Sequence, residues 1–283
     1  MDNEKLLEMF FNKMRLKGLS NNSIKGYKHD LKMILREINK NILEIEYKDL
    51  NAYFLSMAGN KAPKTIGRKM AAIRSLYRFL LKEDLVEKDP TLKLESPKLN
   101  KSLPKFMTED EVEKVIDSAN CFRDQVLMRM FYVTGARLAE IQSLNKDDID
   151  WNNKSIKVLG KGSKERIVFF NQELKDMLQK YLNERTDTNP ALFIERGGSR
   201  LGRRTIEKIV SECGKRAGLK KHVTPHCFRH SLATRLLRNK VQLKEISQLL
   251  GHASTSTTEI YARLDLETVR SSYDSVYEKK EGD

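Results

Sequence analysis

Apolar residues return every three or four positions through much of the chain, the period of a helix with one buried face. Leu6, Leu7, Phe10, Phe11 and Met14 make the first such stripe, and Gly18 follows it as a C-terminal cap. Ile24, Tyr27, Leu31, Ile34, Leu35 and Ile38 make a second after Ser20, and Leu50, Tyr53, Phe54 and Met57 a shorter third. A fourth runs through Ile66, Met70, Ile73, Leu76, Tyr77 and Leu80, where Lys64, Arg68, Lys69, Arg74 and Arg78 add positive charge. Those cations form either a phosphate-touching face or a merely solvated one. From Pro90 to Pro104 no period is sustained, and the prolines disfavour helix. The pattern predicts a helical domain over residues 1–90, a linker over 91–104 and a second domain over 105–283.

The second domain opens at Thr108-Glu109-Asp110-Glu111, which has the form of a capping box ahead of Val112, Val115 and Ile116. An apolar helix from about Arg123 to Val133 then leads to Gly135 and Arg137. Between Trp151 and Phe170 the texture changes: Ile156, Val158, Ile167, Val168 and Phe169 are β-formers, and Gly160-Lys161-Gly162-Ser163-Lys164 carries the glycines of a tight reversal. Helices resume over 172–184, 203–217 and 225–238, the last with Thr224 at the N-cap and Pro225 at the first helical position. The predicted fold is mainly α with a small antiparallel β-sheet in the second domain.

A chain of 283 residues suits about two cores. Its 53 lysines and arginines against 39 acidic residues leave a formal charge of +14, which favours a polyanionic partner, nucleic acid first. Cys121, Cys213 and Cys227 are an odd set without C-x-x-C spacing, which points to neither disulfides nor a zinc cluster and fits a reducing compartment. The start of the chain lacks the pattern of a signal peptide, and no run nears the ~20 apolar residues of a membrane span, so the expectation is a soluble, cytoplasmic protein with no membrane partner.

The residues that suggest chemistry are Arg137, Lys161, His226, Arg229, His252 and Tyr261. Cleaving a phosphodiester requires neutralised non-bridging oxygens, an in-line nucleophile and a proton for the leaving alcohol. Arg137 and Arg229 suit the first task, because a guanidinium stays charged and donates paired hydrogen bonds. His226 shares a helical face with Arg229, and its place at a helix N-terminus favours the neutral form that accepts a tyrosine proton. Lys161, on a reversal able to enter a cleft, suits the general acid for a departing 5′-hydroxyl. His252 would donate to a phosphate oxygen, and Tyr261 would attack phosphorus. Glu140 is either a buttress for a guanidinium or an exposed helical carboxylate. No metal or other cofactor is required, and no H-E-x-x-H or carboxylate-paired spacing supports a metal.

At these residues the chain resembles the tyrosine recombinases, or phage-integrase-type recombinases, above all the Xer-type cellular members. The resemblance rests on Gly18-Leu19-Ser20 with Tyr27 and Leu31, on Thr134-Gly135-Ala136-Arg137-Leu138-Ala139-Glu140, and on Gly160-Lys161-Gly162-Ser163-Lys164-Glu165-Arg166. It continues through His226-Cys227-Phe228-Arg229-His230 and Leu249-Leu250-Gly251-His252, by way of Thr257-Thr258, to Tyr261. Cys227, Phe228 and Asn239-Lys240 depart from the usual pattern without touching the expected chemistry. The resemblance implies a two-domain, C-shaped DNA clamp, with Arg137, Lys161, His226, Arg229 and His252 as the activating set and Tyr261 as nucleophile. It also implies a 3′-phosphotyrosine, a Holliday junction and four protomers that exchange strands at two double-stranded DNA sites.

Leu264, Leu266, Val269, Tyr273, Val276 and Tyr277 keep a helical stripe after the tyrosine, which either docks on a neighbouring subunit, as the terminal helix does in similar proteins, or folds back on its own core. Lys64, Arg68, Arg203, Arg204 and Lys208 are the candidates for DNA contact. Chromosome-dimer resolution is the leading role, with a mobile-element integrase or a non-cutting DNA clamp as rivals.

Overall fold

The computed structural model describes residues 1–98, 106–160 and 165–251, and the chain divides into two compact units, Met1–Lys101 and Ser102–Asp283. In the first unit the four stripes become α1 (Asn3–Leu16), α2 (Asn21–Ile38), α3 (Tyr47–Met57) and α4 (Pro63–Lys82). Gly18 follows α1 in the left-handed conformation, and the Ser20 hydroxyl caps α2 by accepting from Ser23. The buried faces meet in one core containing Leu6, Phe10, Leu31, Ile34, Leu50, Ile73, Leu76 and Leu80. The polar end of Tyr77 is satisfied there by donation to the Ile42 carbonyl at 2.7 Å. Burial pushes its phenol well above the usual tyrosine range, which keeps it protonated as a donor.

The charges on α4 divide. Lys64, Arg68 and Arg78 are exposed, whereas Lys69 is buried and Arg74 turns back to donate to the Leu94 carbonyl and the Ser96 hydroxyl. Arg68 pairs with the buried carboxylate of Asp30, yet 54% of its side chain stays accessible. Residues 91–98, where the prolines predict a linker, lie against α4, with Leu94 in the first core.

The second unit holds α5 (Glu109–Asp117), α6 (Phe122–Thr134), α7 (Leu138–Ser143), α8 (Gln172–Asn183), α9 (Arg203–Arg216), α10 (Pro225–Arg238) and α11 (Leu243–Leu250). The expected capping box is formed: Thr108 accepts from the Glu111 amide, and Glu111 accepts from the Thr108 amide at 2.8 Å. Helix α6 is buried on most sides, from Val126 through Met130, Phe131 and Tyr132, and is the centre on which α5, α8 and α10 pack. Phe131 stacks on Phe228 of α10 with ring centroids 6.4 Å apart.

The sheet is antiparallel in the order β1-β2-β3, with β1 (Ile149–Asp150), β2 (Ser155–Leu159) and β3 (Glu165–Phe169). Leu159 pairs with Glu165 and Ile156 with Val168, so the register closes β2 onto β3 across the reversal. Val158 and Val168 face the core, whereas Ile167 and Phe169 face outward. A smaller cluster of Ala233, Ile246 and Leu250 joins α10 to α11.

Among the described residues no helix is long and apolar enough to cross a membrane, and no three His, Cys, Asp or Glu side chains gather as a metal site. Lys240, just after α10, adopts φ +61°.

Candidate active site

Four chain segments of the second unit meet at the end of α11. The first is the turn Thr134-Gly135-Ala136-Arg137. Gly135 ends α6 at φ +58°, and the Thr134 hydroxyl, which donates to the Met130 carbonyl at 2.6 Å, accepts from the Ala136 amide. A Cβ at Gly135 would lie 2.6 Å from Leu250 Cδ2 and 2.8 Å from Leu232 Cδ2, so glycine is required by space as well as by conformation. The turn delivers Arg137 to the N-cap of α7, where its amide donates to Glu140 Oε2 at 2.7 Å.

The second segment is the first turn of α10. Pro225 supplies a fixed φ and lacks the amide hydrogen a helix start leaves unpaired. His226 and Arg229 follow on one face. Arg229 is 4% exposed, and its guanidinium donates to the Gly135 carbonyl at 2.6 Å and to the Leu250 carbonyl. The third is strand β3, whose Arg166 donates to Glu140 Oε2 at 2.7 Å and to the Leu249 carbonyl at 2.6 Å. The fourth is α11 itself. It ends at Gly251, φ +63°, whose carbonyl accepts from Arg137 Nη2 at 2.7 Å.

Arg137 and Arg229, 92 positions apart in the sequence, therefore donate to the adjacent carbonyls of Gly251 and Leu250, directly before His252. Glu140 is the buttress and not the exposed carboxylate: its side chain is 2% exposed and bonds to both Arg137 and Arg166. Burial pushes its carboxyl up, but the hydrogen bonds from Arg166 and the Arg137 amide, with the two positive charges, outweigh this and hold it below the usual range. The His226 imidazole is held below its usual range by burial first and then by the charges of Arg229, Arg137 and Arg203. The ring still reaches solvent at the start of α10, and the shift favours its neutral, proton-accepting form.

The remaining sites fall as follows. Arg203, Arg204 and Lys208 are exposed on α9, with Arg203 paired to Glu207 and Lys208 to Glu212, one turn on in each case. Lys161, His252, Tyr261 and the terminal stripe lie outside the described residues. Arg166 is a residue the sequence analysis treated only as part of a motif. The signal that could have found it is the period of two: Arg166 shares the inward face of β3 with Val168, and an inward arginine requires a carboxylate. A cavity of about 1000 Å³ in the first unit, lined by Leu43, Tyr47, Leu81 and Leu92, includes none of these residues.

Residues 105–267 match the Phage integrase family, and residues 6–87 match its N-terminal SAM-like domain. Tyrosine recombinase XerD of Oceanobacillus iheyensis is 33% identical, with 97% of this chain and 98% of that protein covered. Tyrosine recombinase XerC of Lactobacillus delbrueckii subsp. bulgaricus is 36% identical, with 84% of each covered. Among solved structures, XerA recombinase is similar at 30% identity and a TM-score of 0.56, covering 97% of this chain and 98% of that one. XerH site-specific recombinase, bound to palindromic difH substrate in a post-cleavage complex, matches at 24% identity and a TM-score of 0.76, over 96% of this chain and 84% of that one. This last likeness is one of fold.

Proposed function

The chain belongs to the phage integrase family, within which it is similar to the Xer-type tyrosine recombinases, and we propose that it recombines double-stranded DNA site-specifically to resolve chromosome dimers. The observation that carries this reading is the convergence of Arg137 and Arg229 on consecutive carbonyls at the end of α11, with His226 one turn before Arg229 on α10. Two guanidinium groups so close suit a phosphodiester, whose two non-bridging oxygens share one negative charge.

In the proposed reaction the Tyr261 phenol gives its proton to His226 and its oxygen attacks the scissile phosphorus in line. Arg137 and Arg229 neutralise the non-bridging oxygens, to which His252 also donates. The bond from phosphorus to the 5′ oxygen breaks, and Lys161 gives its proton to that departing oxygen, which leaves as the 5′-hydroxyl. A 3′-phosphotyrosine remains, so the energy of the broken linkage is kept for rejoining. Attack by a partner strand's 5′-hydroxyl reverses the steps and yields the Holliday junction. Both domains contact the duplex, with Lys64, Arg68, Arg203, Arg204 and Lys208 on its backbone. Two protomers occupy a site and four form the synapse. A substrate in the chromosome places the protein in the cytoplasm.

The test uses a nicked duplex built on a sequence that the protein selects from a randomised pool, so that the cleaved strand diffuses away and the adduct is trapped. With EDTA present, the wild type is expected to form a covalent protein–DNA adduct and Tyr261→Phe none. An adduct of undiminished yield in the variant would remove Tyr261 from its role.

A further inference from the structure

Three successive carbonyls at the end of α11 each accept from a different arginine: Leu249 from Arg166 of β3, Leu250 from Arg229 of α10, and Gly251 from Arg137 before α7. A helix leaves its last carbonyls without partners inside the helix, and they carry the negative end of its dipole. The end of α11 is therefore a ready acceptor for cations, and here it gathers three guanidinium groups from three elements. Two of them are the phosphate clamp of the proposed reaction. The third, Arg166, has no part in that reaction.

Arg166 differs from Arg137 in how it is engaged. Its side chain is 14% exposed against 33% for Arg137. One terminal nitrogen reaches Leu249 at 2.6 Å, the other reaches Glu140 Oε2 at 2.7 Å, and Nε faces Glu140 Oε1 at 3.4 Å. Its stem fills the space under the turn so closely that a Cβ on Gly251 would lie 2.7 Å from Arg166 Cδ and 2.9 Å from Nε. Both ends of the guanidinium are thus spent on the protein: one on the carbonyl row that holds Arg137 and Arg229, the other on the carboxylate that holds Arg137.

We infer that Arg166 is a positioning residue for DNA cleavage: by fixing the end of α11 and sharing Glu140, it sets the spacing at which Arg137 and Arg229 meet the scissile phosphate. Without it, Glu140 is left to Arg137 alone and draws that guanidinium into a two-pronged pair, off the Gly251 carbonyl. Lysine at position 166 supplies the charge but no planar fork, so it holds either the carbonyl or the carboxylate in place, and not both. The inference rests on the reading of Arg137 and Arg229 as a phosphate clamp.

The test compares wild type, Arg166→Lys, Arg166→Ala and Arg137→Lys in the full chain. Each is measured for binding to the selected duplex and for single-turnover adduct formation on two nicked versions, one with a normal scissile phosphate and one with a neutral methylphosphonate there. Both Arg166 variants are expected to bind within about threefold of wild type and to form adduct about 100-fold more slowly on the phosphate, the order of loss that misplacing a reacting group produces. On the methylphosphonate, which carries no charge to neutralise, the deficit of Arg166→Lys should shrink in parallel with that of Arg137→Lys. An equal deficit on both substrates would assign Arg166 to general stability and overturn the inference, as would wild-type rates for Arg166→Lys on the phosphate. Absence of any adduct from the wild type would instead remove the phosphate-clamp reading itself, and the inference with it.

Discussion

Replacing Gly135 by alanine tests the junction on which the arginines depend. Two costs act there together. Alanine at φ +58° is strained by roughly 1–2 kcal/mol, and its Cβ would meet Leu250 and Leu232 at 2.6 and 2.8 Å, an overpacking worth about 1–3 kcal/mol. The expected loss is about 3 kcal/mol, or a fall of roughly 6–12 °C in the midpoint of the second unit. Two other glycines of that unit separate the costs. Gly218, at φ +74° with nothing within 4 Å of its added Cβ, measures strain alone. Gly214 lies within α9, where a Cβ would come 2.5 Å from Val223 Cγ2, and measures overpacking alone, offset by about 1 kcal/mol of helix propensity. The single tryptophan, Trp151, sits edge-on to Phe170 at 6.5 Å in the second unit, so its fluorescence in urea follows that unit selectively. Because the Gly135 and Leu250 carbonyls both accept from Arg229, Gly135→Ala should also slow adduct formation, whereas Gly218→Ala should not. If Gly135→Ala costs no more than Gly218→Ala, then Leu250 does not press on the turn and the packing described for the site is wrong.

Two further outcomes follow from charge. The His230 imidazole is pushed down to about 4, by burial first and then by His226 and Arg229. The unfolded chain thus binds the extra proton below about 6.5 while the folded chain resists it, so this contribution to stability is complete above pH 6.5 and is lost as the pH falls toward 4. A change from 6.5 to about 4 corresponds to roughly 3 kcal/mol, which solvent screening reduces to about 1–2; urea midpoints between pH 7.5 and 4.5 should fall less in His230→Phe than in wild type, and an identical fall would refute the assignment. Arg204→Ala or Lys208→Ala should each lower the slope of log affinity against log salt by about 1 without altering sequence preference, and an unchanged slope would remove that residue from the DNA face.

The helices of the first unit were legible because each buries one stripe of large side chains, from Leu6 to Met14 in α1 and from Ile66 to Leu80 in α4. Charge on a stripe was less legible. Lys69 and Arg74 belong to the same run as Lys64 and Arg68, yet the helix turns one into the core and the other onto Leu94, and no composition rule separates them. The short helices α7 and α11 escaped the reading for a different reason: six and eight residues hold too few turns for a period to emerge. Lys240 shows the limit of a residue-type rule in the other direction, since the backbone accepts a lysine at φ +61° where its own amide donates to the Leu237 carbonyl and that of Val241 to the Leu236 carbonyl.

At the site, the sequence named Arg137, His226 and Arg229 from their chemistry but could not say what holds them together, because the acceptors are main-chain oxygens that no side-chain pattern announces. That arrangement has an electrostatic consequence. Arg137, Arg166 and Arg229 bring three positive charges to one place, and Glu140 returns one negative charge. Carbonyl dipoles at a helix end contribute only a fraction of an elementary charge, so they do not by themselves offset a guanidinium. A carboxylate in place of these three carbonyls would have stabilised the fold more simply, since buried cations cost desolvation unless paired. It would also have occupied the guanidinium groups with a ligand no phosphate could displace cheaply. Backbone acceptors gather the arginines without setting a full opposing charge on each one, and in the proposed reaction it is the phosphodiester that supplies such a charge.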